Sequence, residues 1–400
     1  MLTFEEALGR LLEGVQPTIE ERVPVGDADG RVMARDLIAR TDLPPYDYSA
    51  MDGYAIRSSA LQPPGPWKLA VRGESRTGAA PPDLEPGCAC RIFTGAHIPA
   101  GADAVVMQED VARDGDEIVL ARDVRAGSHI RRRADDMAAG TTAIAAGTRL
   151  GPGHLALAAS VDAGWVWVSR RPVVTIVSTG DELRYPGEPE DANRLPESVS
   201  VAIKAMAARA GAFVRVAPFA PDDPASTAKL ITDAMRGTDL LITIGGVSVG
   251  EHDVVRPALE ASGVQIEFWR VKVKPGKPIA VGRGPAGRVL GLPGNPTSAQ
   301  VSFALFGMPL LRAMQRDSRP TAARIRARLL DEVHATSDRT EFLRGSLHMD
   351  GSRLVARPLR NQASGATTSM AMSDCLLVIP AESSKLAAGS EVDVIRLSDV

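Results

Sequence analysis

The stretch Asp239-Leu-Leu-Ile-Thr-Ile-Gly-Gly-Val-Ser-Val-Gly-Glu-His-Asp253 leaves a folding chain few options. Leu240 to Ile244 is uncharged and partly β-branched, the pattern of a strand buried on both faces. Gly245, Gly246 and Gly250 then permit tight turns and let main-chain N–H groups come close to a ligand. A helix is expected from about Asp253. Amides at such a strand-loop-helix junction, with the positive end of the helix dipole behind them, suit a phosphate or another oxyanion. Glu251 and Asp253 can hold a cation beside it. An ordinary βα turn uses the same residue types, so the loop acquires meaning only from its context.

That context is an alternation of strands and helices from Arg171 onward, the signature of a doubly wound α/β domain with a largely parallel sheet. A strand over Val173 to Ser178 ends in Thr179-Gly-Asp-Glu-Leu183. A helix over Glu197 to Ala210 leads to a strand at Phe213 to Ala217, and Pro221-Asp-Asp-Pro224 turns into the next helix. After the glycine loop and its helix come a strand through Val264 to Val271, two short strands flanking Gly284, the turn Val289-Leu-Gly-Leu-Pro-Gly-Asn-Pro-Thr-Ser298, and a long apolar helix from Thr297 to Met314. Ligands of open α/β sheets bind outside the carboxyl ends of the strands. Asp181, Glu182, Asp222, Asp223, Ser248, Asp253, Lys274, Lys277, Asn295 and Ser298 are therefore expected to gather at one edge. Asp222 and Asp223 serve equally well as helix N-caps. In Lys272-Val-Lys274-Pro-Gly-Lys277-Pro the prolines and glycine would hold ammonium groups toward an anion, or form a basic hairpin tip.

The 400 residues suggest two to four domains. Thr3 to Glu13 is an N-capped amphipathic helix, and a second helix is expected over Ala28 to Leu37. From Pro44-Pro45 to about Met137 short β-like segments dominate, and 140–168 again reads as helix plus strand able to pack with the N-terminal helices. After Pro320 the pattern returns to β. The expected architecture is mixed α/β and β. It consists of a discontinuous helical/β linker domain (1–44 with 138–169), an inserted β-rich domain (45–137), the doubly wound α/β domain (170–316) and a small C-terminal β-barrel (317–400). The formal net charge of −3 provides no basic field for nucleic acid. Acidic residues follow Met1 where a signal peptide would be basic, and no apolar run reaches membrane-spanning length, so a cytoplasmic protein is expected. Cys88, Cys90 and Cys375 lack zinc-site spacing and read as reduced thiols. Ile130-Arg-Arg-Arg133-Ala-Asp-Asp136 can bind an anion or be a solvated charged face.

The ordered set Met51-Asp-Gly-Tyr-Ala55, Ile92-Phe-Thr-Gly-Ala96, Pro99-Ala-Gly-Ala-Asp-Ala-Val-Val-Met-Gln-Glu109, Ile130-Arg-Arg-Arg133, Ser178-Thr-Gly-Asp-Glu-Leu183, Gly245 to Asp253, Val273-Lys-Pro-Gly-Lys-Pro278 and Gly291-Leu-Pro-Gly-Asn-Pro-Thr-Ser-Ala299 closely resembles the molybdopterin molybdenumtransferase family, MoeA in bacteria and the E domain of gephyrin in animals. The resemblance implies a MoaB/MogA-like α/β domain in a four-part homodimer whose cleft draws on both subunits. It further implies insertion of molybdenum from molybdate into adenylylated molybdopterin, with magnesium-dependent release of AMP and a molybdopterin adenylyltransferase acting upstream. By this resemblance Asp52, Thr94, Asp136, Glu182 and Asp253 are expected to be catalytic, and Asp181, Glu182 and Asp253 to position Mg²⁺. Gly245, Gly246, Ser248, Gly250, Asp181, Asp222, Asp223, Lys274, Lys277, Pro293, Asn295, Pro296, Ser298, Arg344 and Ser364 would bind substrate. Molybdate falls to Ser248, Lys274, Lys277, Ser298 and Arg344. A non-catalytic carrier or scaffold and a tungstate enzyme are the alternatives. Three positions depart from the family pattern: Ala134-Asp135 after the arginines, Ile244 before the glycines, and Asp191-Ala-Asn193.

Overall fold

The computed structural model describes residues 1–247, 254–334, 338–381, 383 and 385–400. The N-terminal helix Phe4–Leu12 begins at a capping box in which the Thr3 hydroxyl accepts the Glu6 N–H at 3.2 Å and the Glu6 carboxylate accepts the Thr3 N–H at 2.8 Å. Its buried stripe of Phe4, Ala7 and Leu11 lies on the core of the α/β domain. Residues 28–37 form no helix. Gly30 takes a left-handed φ of 69°, and Val32 and Met33 bridge to Arg149 and Val168, so burial beside those strands outweighs local helix propensity. Val25, Ala28 and Met33 share a cluster with Ile144, Ala158, Val166 and Val168, and Glu20–Pro24 pairs antiparallel with Trp165–Ser169. Between these segments, the strands Gly53–Ile56, Trp67–Ser75, Cys88–Ile92, Ala104–Met107, Val111–Asp114 and Glu117–Leu120 form a six-stranded sheet.

The central sheet runs Phe213–Val216, Val173–Ser178, Leu240–Ile244, Arg288–Leu292, Pro278–Arg283, Gln265–Arg270, with the first four strands parallel and Pro278–Arg283 antiparallel to both of its neighbours. Leu240, Ile242 and Ile244 face one core cluster and Leu241 the other, so apolar residues must occupy both faces of this strand. Val199–Arg209 and the helical run 296–314 cover the first face; Pro224–Ala234 and Val255–Ala261 cover the second. The expected helix from Thr297 to Met314 is a continuous run with a π turn at Phe303–Gly307. A Cβ on Gly307 would lie 2.1 Å from the Phe303 ring, and Pro309 has no N–H to give the ladder.

The C-terminal unit closes on itself. Thr340–Asp350 pairs with both Arg353–Pro358 and Cys375–Ile379, and Arg324–Leu329 and Glu391–Arg396 complete a ring of five strands. At Gly345, which pairs with both neighbours, an added Cβ would stand 2.2 Å from Leu377. Cys375, Leu377 and Val394 fill the interior, whereas Phe342, Leu376, Val378 and Ile395 point outward into the core of the α/β domain. Phe4 joins the two, edge-on to Phe306 at 5.5 Å and to Phe342 at 5.1 Å. The three cysteines are unbridged, and burial pushes the Cys375 thiol up to about 12. Among the described residues no helix is long and apolar enough to cross a membrane. Removing the Phe342 ring is expected to cost about 3–5 kcal/mol, read as a lower urea midpoint for Phe342→Ala. An unchanged midpoint would show that the ring carries no such weight.

Candidate functional site

Ser178, Ile244 and Leu292 lie side by side in register, so the loops that follow them leave the sheet together. The Thr179 N–H donates to the Ile244 carbonyl at 2.9 Å, and the Gly245 N–H to that of Leu292 at 3.1 Å. Gly245 turns at φ 86°, where a Cβ would sit 2.9 Å from the Thr179 carbonyl. These loops frame a cavity of about 590 Å³ lined by Glu182, Glu197, Asp222, Gly245, Gly246 and the Pro293–Pro296 turn. Its described charged lining is entirely acidic.

The carboxylates around this cavity are held in different ways. At Gly180, with φ 145°, a Cβ would fall 2.3 Å from the Glu182 carboxylate, which folds back over the glycine. Asp181 and Asp222 each accept the other's backbone N–H, at 3.4 and 3.3 Å. Asp223 instead caps the helix Pro224–Ala234, taking the Ser226 N–H at 2.8 Å; the Ser226 hydroxyl and amide hold its carboxyl below the usual range. The adjacent aspartates, interchangeable in the sequence, are thus separated: Asp222 borders the cavity and Asp223 terminates a helix. Glu197 was missed by sequence reasoning. It is buried and accepts the Val199 and Ser200 N–H groups at 2.8 Å, so it caps the helix Val199–Arg209 from the cavity wall. The signal was a carboxylate just ahead of the helix. The Ser178, Thr179 and Thr243 hydroxyls are buried without partners among the described residues.

A second cavity of about 530 Å³ adjoins the first, with Pro278 lining both. Lys274, Lys277, Ser298 and Ser364 line it, together with Arg339, Glu341 and His334, which carried no sequence motif. The lysine turn is held close to the helix by Gly276, at φ 102°, where a Cβ would meet the Ser302 hydroxyl at 2.2 Å. Lys274 lies 3.4 Å from the buried Glu341 carboxylate. The loop bearing Ser364 is tied down twice: the Ser364 carbonyl accepts the Thr297 N–H at 3.1 Å, and Arg344 anchors the residues before it. Arg344 is fully buried. Its Nε donates to Ser369 Oγ at 2.7 Å and its Nη2 to the Asn361 and Ala363 carbonyls at 3.0 and 3.1 Å, leaving Nη1 without a partner among the described residues. Desolvation lowers its pKa from the ordinary value.

Asp52, Thr94 and Asp136 border neither cavity. Asp52 accepts both the Thr94 N–H at 2.7 Å and its hydroxyl at 2.8 Å, an arrangement that depends on the tight pairing at Gly53, where a Cβ would overlap the Val106 carbonyl at 1.8 Å. Asp136 is exposed. In the arginine triplet Arg132 pairs with Asp47 and Arg133 with Asp42, so those two guanidiniums tie the segment to the preceding chain. Ser248, Gly250 and Asp253 lie outside the described residues. Among the described residues no group of three or more His, Cys, Asp or Glu side chains converges on a metal position.

Residues 2–162 match the MoeA N-terminal region (domain I and II), 175–313 the family described as "Probable molybdopterin binding domain", and 326–397 the MoeA C-terminal region (domain IV). The chain belongs to the MoeA family. It is 36% identical to a molybdopterin molybdenumtransferase of Synechococcus elongatus over 99% of this chain and 100% of that one. It is 34% identical to one of Nostoc over 94% and 88%. The crystal structure of the molybdopterin biosynthesis MoeA protein of Pyrococcus horikoshii superposes with a TM-score of 0.87 at 29% identity, covering 99% of this chain and 100% of that chain.

In this MoeA-family chain the Thr94 amide is the main cause, with its hydroxyl, that holds the Asp52 carboxyl below the usual range. Asp52 is therefore expected to remain ionised as the pH falls past the ordinary carboxylate value, and to protonate only lower. In a carbon-detected NMR titration Thr94→Val should move that transition upward. An Asp52 resonance that already titrates at the ordinary value in the unsubstituted protein would refute the assignment.

Proposed function

We propose that this protein inserts molybdenum from molybdate into adenylylated molybdopterin and releases AMP, a step of molybdenum cofactor biosynthesis. The observation that carries this reading is the pairing of an acidic and a basic cavity at the carboxyl edge of the sheet, in a chain whose curated relatives are named molybdopterin molybdenumtransferase. Molybdate is a tetrahedral dianion, and the basic cavity offers it Lys274, Lys277 and the hydroxyls of Ser298 and Ser364, with the spare Nη1 of Arg344 held behind the loop. The phosphate-bearing part of the substrate enters the acidic cavity along the Gly245 and Gly246 backbone.

A phosphoanhydride beside Glu182, Asp222 and Glu197 is repelled unless a cation is present. The donor set fits Mg²⁺, which is usually held by one or two carboxylates with water and phosphate oxygens completing the shell. Glu182 and Asp181, with Asp222 orienting Asp181, are the described residues that would hold it, and Asp253 is the further candidate. When bound, the ion supplies charge neutralisation at the phosphates. The chain's own residues position the substrate: the glycine loops exclude side chains from the approach, and Gly180 leaves room for the Glu182 carboxylate. Asp52, Thr94 and Asp136 act on the cleft of a second subunit in a homodimer.

Incubation with adenylylated molybdopterin, molybdate and Mg²⁺ should release AMP and yield cofactor that activates an apo-molybdoenzyme. Cofactor binding without AMP release would favour a carrier. Lys277→Ala should weaken molybdate binding by about tenfold or more, the weight of a charge-assisted hydrogen bond of roughly 1.5–3 kcal/mol, as read by calorimetry. Gly180→Ala should cut AMP release by at least about tenfold through displacement of Glu182 while molybdate affinity stays within about twofold, because the basic cavity is untouched. Equal loss in both readouts would show general damage.

A further inference from the structure

Metal insertion at a dithiolene is also a proton problem. As both thiols bind molybdate, two Mo–S bonds form, two S–H bonds and one Mo–O bond break, and the oxide departs as water carrying both protons. Molybdenum keeps its oxidation state, so no reductant is involved. Oxide is a very poor leaving group until it is protonated, and a positioned group that carries protons from sulfur to oxygen typically contributes about 10²–10⁴-fold.

We propose that His334, oriented by Glu332, is that proton relay; the inference rests on the reading that molybdate occupies the basic cavity. His334 lines this cavity along with Lys274, Lys277 and Ser298. Its Nε2 lies 2.7 Å from Glu332 Oε1, and Glu332 Oε2 is held in turn by Lys385 Nζ at 2.8 Å. The pairing of Val333–His334 with Lys385–Leu386 fixes the backbone beneath all three groups. A carboxylate on one ring nitrogen sets the tautomer and orientation of the imidazole and leaves Nδ1 as the nitrogen to exchange a proton with the cavity. The other charged groups lining the cavity are poorly suited to the task. Lys274, Lys277 and Arg339 present N–H donors suited to holding the oxyanion, and Glu341 is buried against Lys274. Among the described lining residues His334 is the one imidazole, a ring whose two nitrogens can accept a proton at one and donate one at the other.

The experiment compares the full-length protein with His334→Gln and Glu332→Gln, measuring molybdate affinity by calorimetry, kcat and KM for molybdenum insertion, and the pH profile of kcat. His334→Gln should lower kcat by about 100-fold while the molybdate Kd stays within about twofold. The ionisation a histidine contributes between about pH 5 and 8 should vanish from the profile. Glu332→Gln, a positioning change, should lower kcat less and leave that ionisation present but displaced. The His334 side chain is exposed, and an unchanged Tm would confirm that the fold is retained. Wild-type turnover in His334→Gln overturns the relay alone. A kcat that is unchanged while molybdate affinity drops makes His334 a binding residue and likewise overturns it. Wild-type protein that binds no molybdate overturns the underlying reading and the relay together.

Discussion

Much of the architecture depends on one shared patch of apolar surface, where Phe4 lies edge-on to Phe306 and Phe342. The N-terminal helix, one face of the central sheet and the outside of the barrel contribute to a single core. Because interiors pack at crystal-like density, three elements that share a core cannot slide independently. The consequence for chemistry is direct. Val273–Lys274, beside the central sheet, pairs in parallel with Thr340–Glu341 of the barrel strand. The basic cavity therefore has lysines from one unit facing Glu341, Arg339 and Ser364 from the other, at a separation set by packing. A barrel joined only by a linker would leave those walls free to move apart.

Charge is divided across this edge rather than neutralised. Carboxylates line one cavity and ammonium and guanidinium groups the other, with Pro278 at the boundary of both. The backbone shapes each wall: Gly276 lets the lysine turn lie against Ser302, Gly180 leaves room for Glu182 to fold over it, and Asp222 is tied to Asp181. The ion pair of Lys274 with buried Glu341 in the basic cavity is a positioning contact, since taking such charges out of water offsets much of their mutual attraction. Opposite charges kept apart suit the proposed pair of anionic substrates, one met by ammonium groups directly and the other by a cation that the carboxylates would hold.

The central sheet was legible because its inner strands are apolar on both faces, as the uncharged run Leu240 to Ile244 is. The closed barrel was legible in outline from its alternating strands. Residues 28–37 misled because their apolar spacing fits a helix, while the partners that hold Val32 and Met33 extended come from 149 and 168, far along the chain. Local pattern likewise could not divide Asp222 from Asp223, because the choice between cap and cavity is made by which carboxylate meets the Ser226 amide. Arg344 was read as an anion ligand. Two of its five side-chain donors go to carbonyls of the loop that carries Ser364 and a third to Ser369, an anchoring role set by partners that no motif records, while Nη1 remains for the proposed anion contact. His334 and Glu332 were invisible for the same reason, since their meaning comes from a two-residue ladder with Lys385.

The Asp52–Thr94 pair is the part of the expected machinery that a single chain does not bring to either cavity. The pair is nonetheless built with care, since Asp52 receives two hydrogen bonds from one threonine and Gly53 cannot carry a side chain without striking Val106. Both features hold an ionised carboxylate at the surface, where stability gains nothing large from it. Such an investment is more readily understood if the carboxylate meets another molecule. Asp52 and Thr94, beside the strands Gly53–Ile56 and Cys88–Ile92, and the exposed Asp136, in a turn whose amide donates to the Leu43 carbonyl, all lie away from the acidic cavity of the same chain, which fits the proposed cleft between two copies.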